Sequence, residues 1–349
     1  RHYLRTCDKK YDLICFTLLD SHTVAGLGSS VRLDAYVYSR ESFQSALSKL
    51  KPDGLLVLAF AVHKPYIADR LYYTMEDAAG YAPIVVAEQK VEYWGAPFYI
   101  LGEPVKEKRV VFPQGWSAAP IPYGPPVRVL TDDWPYLYLD TSVIDFPYLL
   151  VMAETLLICL FVCRKILFAK PAAIYFQMFF LGAGFLLMEL TSIAKLSLLF
   201  GSTWLTSAVV INGILLLIFL ANLLVMKWKE MLSRHYTLIY LLLFIALLLD
   251  YFLPATRLLD SPLGSGVLGV TLVTFLVIFP IFIAGLVFPV AFARVDSPPK
   301  ALTFNILGAV VGGFLEYLSN FLGVQSLILV ALALYLLSFF FALQAKKGA

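Results

Sequence analysis

Seven long apolar runs follow one another from Tyr148 to Leu343, and nothing else constrains the fold of this chain as strongly. A helix of about 20 apolar residues crosses the roughly 30 Å of bilayer hydrocarbon with its backbone groups paired internally. The runs therefore predict spans at about 147–163, 172–194, 203–226, 236–253, 266–291, 303–323 and 325–344. Ahead of Tyr148, polar and apolar residues mix as in a domain that folds in water. The 349 residues are 60% hydrophobic and 15% charged, the composition of a membrane protein carrying a soluble module. The net charge of +3 is small, and no basic cluster alternates with aromatic side chains, which argues for the lipid bilayer and against nucleic acid as a partner. Cys7, Cys15, Cys159 and Cys163 form no CxxC pair, so apolar packing is expected of them and no metal site is predicted.

The soluble segment reads as alternating strands and helices. The chain opens at Arg1 without Met or a signal peptide, and Arg1 to Asp8 resemble the tail of a helix, which leads us to expect native sequence upstream. Tyr11 to Thr17 is an apolar run of the buried-strand type. A Gly- and Ser-rich loop follows, from Asp20 to Tyr38, and Ser39 is placed to cap a helix running to about Leu50. Lys51-Pro-Asp-Gly54 signals a turn, and Leu55 to Ala61 a second buried strand. Residues 65–79 suit a helix ending at Gly80, and Ile84–Ala87 and Phe98–Leu101 suit a closing hairpin. This order is that of an α/β domain.

The runs YDLICFTLLDSHT and SSVRLDAYVYSRESFQSALSKLKPDGLLVLAF resemble the second half of the spermidine synthase-like branch of the class I S-adenosylmethionine-dependent transferases. The resemblance covers residues 1 to about 103 and rests on the strand–LKPDG–strand element and the closing hairpin. It implies an α/β partial Rossmann-like (class I methyltransferase-type) domain, followed here by an all-α transmembrane bundle of about seven helices. The expected domains are 1–105, the C-terminal half of the transferase domain; 106–146, a Pro/Gly-rich linker and interfacial segment; and 147–345, the transmembrane helices. The resemblance also implies S-adenosylmethionine or its decarboxylated form as cofactor, with an aminopropyl or methyl group passing to an amine or a lipid-associated acceptor. The family's cofactor-binding glycine loop follows its first strand and is expected upstream of Arg1. Gly26-Leu-Gly28 stands in the wrong place to replace it and reads as loop chemistry. The chain departs from the family at Thr17, where aminopropyltransferases carry a carboxylate; Asp20 matches only the family's downstream acid.

Ligands of open α/β sheets bind beyond the carboxyl ends of the strands. Asp20, Ser21, His22 and Thr23 occupy such a tip. Asp20 is suited to orienting an amine or hydroxyl and His22 to taking its proton; the alternative is a satisfied turn with an exposed histidine. Ser21, Thr23, Arg32, Asp34 and Tyr38 complete the expected substrate-binding set, although Arg32 and Asp34 also suit a pair that orders the loop. Lys106 to Val129 lacks periodicity, and in Thr131-Asp-Asp-Trp-Pro-Tyr-Leu-Tyr138 the rings of Trp134, Tyr136 and Tyr138 suit a membrane interface. A similar TDDxP segment precedes the spans in membrane-attached relatives, and FLGAGFLLMEL, FGSTWL and NILGAVVGGFLEYLS resemble their membrane half.

Within the spans, Pro280 and Pro289 predict a kink and Gly308 and Gly312 a close helix contact. Arg164, Lys165, Lys227, Lys229, Arg294 and Lys300 gather in loops on the side opposite the soluble segment. The positive-inside rule then puts the soluble domain outside a plasma membrane and the C-terminus in the cytoplasm. That conflicts with a cytoplasmic cofactor. The intramembrane polar residues Glu154, Glu189, Lys195, Asp250, Glu316 and Asn320 fall in the half nearer the soluble segment and suggest one polar pocket; single pairs that fix helix packing are the alternative. Two functions stay open: a membrane-integrated transferase, or a catalytically inactive assembly subunit that docks partners in a membrane-protein complex. A transporter is a weaker third, since no internal repeat is evident.

Overall fold

Ile14 and Phe16 are buried while Leu13, Cys15 and Thr17 are exposed, so strand β1 (Tyr11–Thr17) buries one face only. The expectation of a strand buried on both faces fails here, since no described residue covers the Leu13–Cys15–Thr17 face; β1 stands first in a sheet of order β1, β2 (Leu50–Ala59), β4 (Phe98–Leu101), β3 (Ile84–Glu88), β5 (Trp116–Ala118) among the described residues. The computed structural model describes the chain apart from residues 18–32, 63, 89–96, 113–115, 119–126, 141–145, 168–171, 201–203, 254–257, 259–265 and 348–349. It forms two compact units, Arg1–Val143 and Ile144–Ala349.

In the first unit a short helix, α1 (His2–Thr6), precedes β1. Ser39 caps α2 (Arg40–Leu47) by accepting the Ser42 amide at 3.3 Å. Strand β2 (Leu50–Ala59) runs parallel to β1. The Lys51-Pro-Asp-Gly54 signal does not end the strand: the register jumps from Tyr11↔Leu50 to Leu13↔Leu55, so the turn residues sit within β2 as an irregularity. Gly54 is required there, since a Cβ would stand 2.8 Å from the Tyr11 carbonyl oxygen. Helix α3 (Pro65–Ala79) opens with Pro at its first position and stops at Gly80, whose φ of +77° suits glycine. Strands β3 (Ile84–Glu88) and β4 (Phe98–Leu101) form the closing antiparallel hairpin, with β4 inserted beside β2. After α4 (Glu103–Lys106), strand β5 (Trp116–Ala118) extends the sheet from β3, inside what the sequence suggests is a structureless linker. Leu56, Leu58, Phe43, Leu71 and Met75 form the core. Trp134 and Tyr136 belong to that core, at 3% and 5% exposure, instead of standing half wet at an interface.

The second unit is helical: α5 (Phe146–Leu167), α6 (Ala173–Phe200), α7 (Trp204–Lys227), α8 (Lys229–Arg234), α9 (Tyr236–Phe252), α10 (Gly266–Phe292), α11 (Pro298–Leu315), α12 (Ser319–Leu322) and α13 (Leu327–Lys347). Among the described residues six helices are long and apolar enough to cross a membrane, Pro298–Leu322 counting as one of them; α9, with 17 residues, is apolar but shorter. Helices α6 and α11 touch backbone to backbone. A Cβ at Gly308 or Gly312 would fall on the carbonyl oxygens of Phe179 or Ala183, and one at Gly182 on that of Asn305. Small residues permit such contact where apolar burial gives no driving force between helices. A buried polar cluster ties α6, α9 and α13: Gln177 Nε2 donates to the Tyr236 hydroxyl at 2.6 Å, and the Tyr240 hydroxyl lies 2.8 Å from Ser338 Oγ.

Candidate functional site

Parallel pairing sets the carboxyl ends of β1 and β2 side by side, with Thr17 opposite Ala59. The predicted site begins at the next residues. Asp20, Ser21, His22, Thr23 and Arg32 lie outside the described residues. Asp34 falls in the 3₁₀ turn Leu33–Tyr38. Tyr38 is wholly buried, its ring 5.2 Å from that of Phe60 in an edge-to-face contact, so its side chain serves the core.

Beyond that turn the structure assembles a network that the sequence does not announce. The Arg1 guanidinium grips both Asp132 carboxylate oxygens at 2.5 Å and donates to the Tyr36 carbonyl at 3.1 Å. Ser39 Oγ donates to Asp132 at 2.8 Å, and the Asp132 amide donates to Glu41 at 2.9 Å. The TDDxP segment thus anchors the start of α2. Beside it the Tyr36 hydroxyl is buried, with no hydrogen-bond partner among the described residues. Burial, then the charge of Asp132, holds this phenol well above its usual range, so it stays neutral and able to donate. Arg70 of α3 clamps the same segment. Its guanidinium donates to the carbonyls of Arg128, Tyr136, Leu137 and Leu139 and lies 5.1 Å from the Trp134 ring centre. Burial lowers its pKa to about 10.

The sheet unit also carries a cavity of about 820 Å³ lined by Lys10, Lys51, Gly54, Tyr81 and Lys106. It lies at the amino end of β2, the wrong end for an α/β ligand site. Its lysines are engaged with surface groups: Lys51 with Asp12 at 2.8 Å, Lys106 with Glu103 at 3.3 Å and Lys10 with the Ser48 carbonyl.

In the helical unit two of the expected polar residues form a pair. Lys195 and Asp250 meet, the ammonium standing 2.9 Å from each carboxylate oxygen with both side chains buried. Gln325 donates to the last-turn carbonyls of Asp250 and Tyr251 at 2.8 and 2.9 Å, fixing the start of α13 to the end of α9. Glu154 is exposed on α5. Glu316 is half-buried at the start of the 3₁₀ turn after α11, and Asn320 is fully buried on α12. Glu189 lines a separate cavity with Asn222, Asn305 and Tyr335. The last three were legible only as polar residues in apolar runs, and no spacing singles them out.

Compared with protein families, curated proteins and solved structures, the chain matches none.

Proposed function

We propose that this chain is a membrane-integrated transferase of the spermidine synthase-like class, moving an aminopropyl or methyl group from decarboxylated or intact S-adenosylmethionine to an amine or lipid-associated acceptor. The observation that supports it is the sheet: a parallel pair with adjacent carboxyl ends, followed by a closing hairpin whose second strand inserts beside β2. In this reading Asp20 and His22, a few residues past Thr17 in the sequence, serve a ligand site beyond the carboxyl end of β1. In this reading Asp20 orients the acceptor, His22 takes its proton, and Ser21, Thr23, Arg32 and Asp34 shape the loop. The membrane part has seven spans, with α9 at the lower limit of crossing length, in a plasma membrane.

A second reading has its own support. The free edge of β1, with Leu13 54% exposed and Cys15 exposed, suits a docking surface in a membrane complex. So do the loop charges, which favour an outward domain. Equilibrium binding of labelled S-adenosylmethionine and its decarboxylated form to the full-length protein in nanodiscs separates the two. Saturable binding, with transfer lowered at least about 100-fold by Asp20→Asn or His22→Ala, supports the transferase. Absence of binding to either form sinks it.

A further inference from the structure

Residues of helices α6, α7, α10, α11 and α13 line a partly open cavity of about 340 Å³ within the helical unit. Its walls are mainly apolar, from residues such as Leu181, Phe185, Ile218 and Phe288. Its polar groups include several hydrogen-bond acceptors. Asn222 and Asn305 each spend one amide N–H, on the carbonyls of Ile218 at 2.8 Å and Met178 at 3.0 Å, and among the described residues nothing donates to their oxygens. Pro289 has no N–H to give the carbonyl of Gly285, one turn earlier in α10, and both residues line the cavity. The Tyr335 hydroxyl is wholly buried and has no hydrogen-bond partner among the described residues.

Glu189 completes the set. Among the described residues no cation and no hydrogen-bond donor meets its carboxylate. It stands eleven residues before Phe200, the end of α6, so roughly 16 Å along the helix from that end. An acid at such depth without a partner is costly in a bilayer and marks a site where the partner comes from elsewhere. A bare metal ion does not require an apolar-walled space of this size. An organic cation does.

We infer that this cavity binds an amphiphilic amine. The ammonium group pairs with Glu189 and gives its remaining N–H groups to oxygens among those of Asn222, Asn305, Gly285 and Tyr335, which line the same cavity, and the hydrocarbon body packs against Phe185 and Phe288. The inference stands independently of the transferase reading, since it uses only the helical unit.

The test is calorimetric titration of octylamine into full-length protein in phosphatidylcholine nanodiscs, with empty nanodiscs as the baseline and octanol as the uncharged twin. Octylamine should bind saturably and octanol at least tenfold more weakly. Glu189→Gln should weaken octylamine at least tenfold and leave octanol unmoved, and Tyr335→Phe should weaken octylamine severalfold. Ala309→Phe fills the space without removing a polar group and should abolish octylamine binding; a folded A309F protein that binds normally overturns the site, whatever becomes of E189Q. Octylamine heats equal to those of empty nanodiscs overturn it too. So does a sodium-dependent rise in thermal midpoint that E189Q abolishes, when octylamine gives none, because the cavity then belongs to a metal cation.

Discussion

Replacing Arg70 by Met should unfasten the 127–140 segment from α3. Two terms oppose each other. Burial lowers the guanidinium pKa from 12.5 to about 10, so holding the charge inside costs roughly 3 kcal/mol that Met would recover. Against this, the carbonyls of Arg128, Tyr136, Leu137 and Leu139 lose donors at 2.7–3.2 Å; Tyr136 keeps the Leu139 amide at 3.4 Å, and each of the others left bare costs about 1–3 kcal/mol. The contacts of Arg70 with the Tyr66 and Trp134 rings are lost as well. The carbonyl term wins, and we expect a net loss of about 3–5 kcal/mol, a fall in thermal midpoint on the order of 10 °C for a unit of this size. Arg70→Lys should forfeit more than half of that, because one ammonium cannot serve four carbonyls. The assay is thermal unfolding read by fluorescence in a protein whose only tryptophan is Trp134, with Trp94, Trp116, Trp204 and Trp228 changed to Phe. R70M should unfold earlier and show red-shifted Trp134 emission before the transition. A midpoint within 2 °C of the parent with unshifted emission would refute the reasoning.

Other perturbations carry equally definite expectations. Removing one partner of the Lys195–Asp250 pair, as in Asp250→Ala, should destabilise the helical unit by about 3–5 kcal/mol, while the double change Lys195→Met with Asp250→Leu should restore most of it, read as a double-mutant cycle of thermal midpoints. Gly308→Val drives a side chain into the Phe179 carbonyl and should abolish monodisperse folded protein on gel filtration, whereas Gly313→Ala, which meets only a Leu186 methyl at 3.4 Å, should be tolerated. For sidedness, Glu107→Cys in a background lacking Cys7 and Cys15 should react with a membrane-impermeant thiol reagent in intact cells if the loop charges are obeyed. Reaction only after lysis would overturn the outward assignment and favour the transferase.

Local chemistry was the part of the fold most legible in sequence. Tyr11–Thr17 and Phe98–Leu101 begin and end as strands where their apolar runs do, and Ser39, Pro65 and Gly80 punctuate helices through capping and φ preferences that need no tertiary context. What failed depended on neighbours. Lys51-Pro-Asp-Gly54 carries turn chemistry, yet pairing with β1 absorbs it into a strand. Trp134 and Tyr136 suit a bilayer interface by type, and only the returning 127–140 segment, held by Arg70, puts them in a core. In the candidate sites the same division holds. Lys195 and Asp250 stood out as charges in apolar runs, but their pairing over 55 positions is a fact of helix packing. Tyr335 is an ordinary aromatic residue until its hydroxyl is found buried and without a partner among the described residues.

The contact between α6 and α11 bears on how this sequence can drift. Leu, Ile, Val and Phe facing lipid interchange at little cost, because hydrocarbon outside asks only for hydrocarbon inside. Gly182, Gly308 and Gly312 have no such freedom: each holds a place where even a methyl group would meet a carbonyl oxygen. A descendant that keeps this helix pair must keep those three positions while almost everything around them is rewritten. Distant kin should therefore share a sparse pattern, one glycine on the first helix facing two spaced by four on the second, long after overall identity has faded.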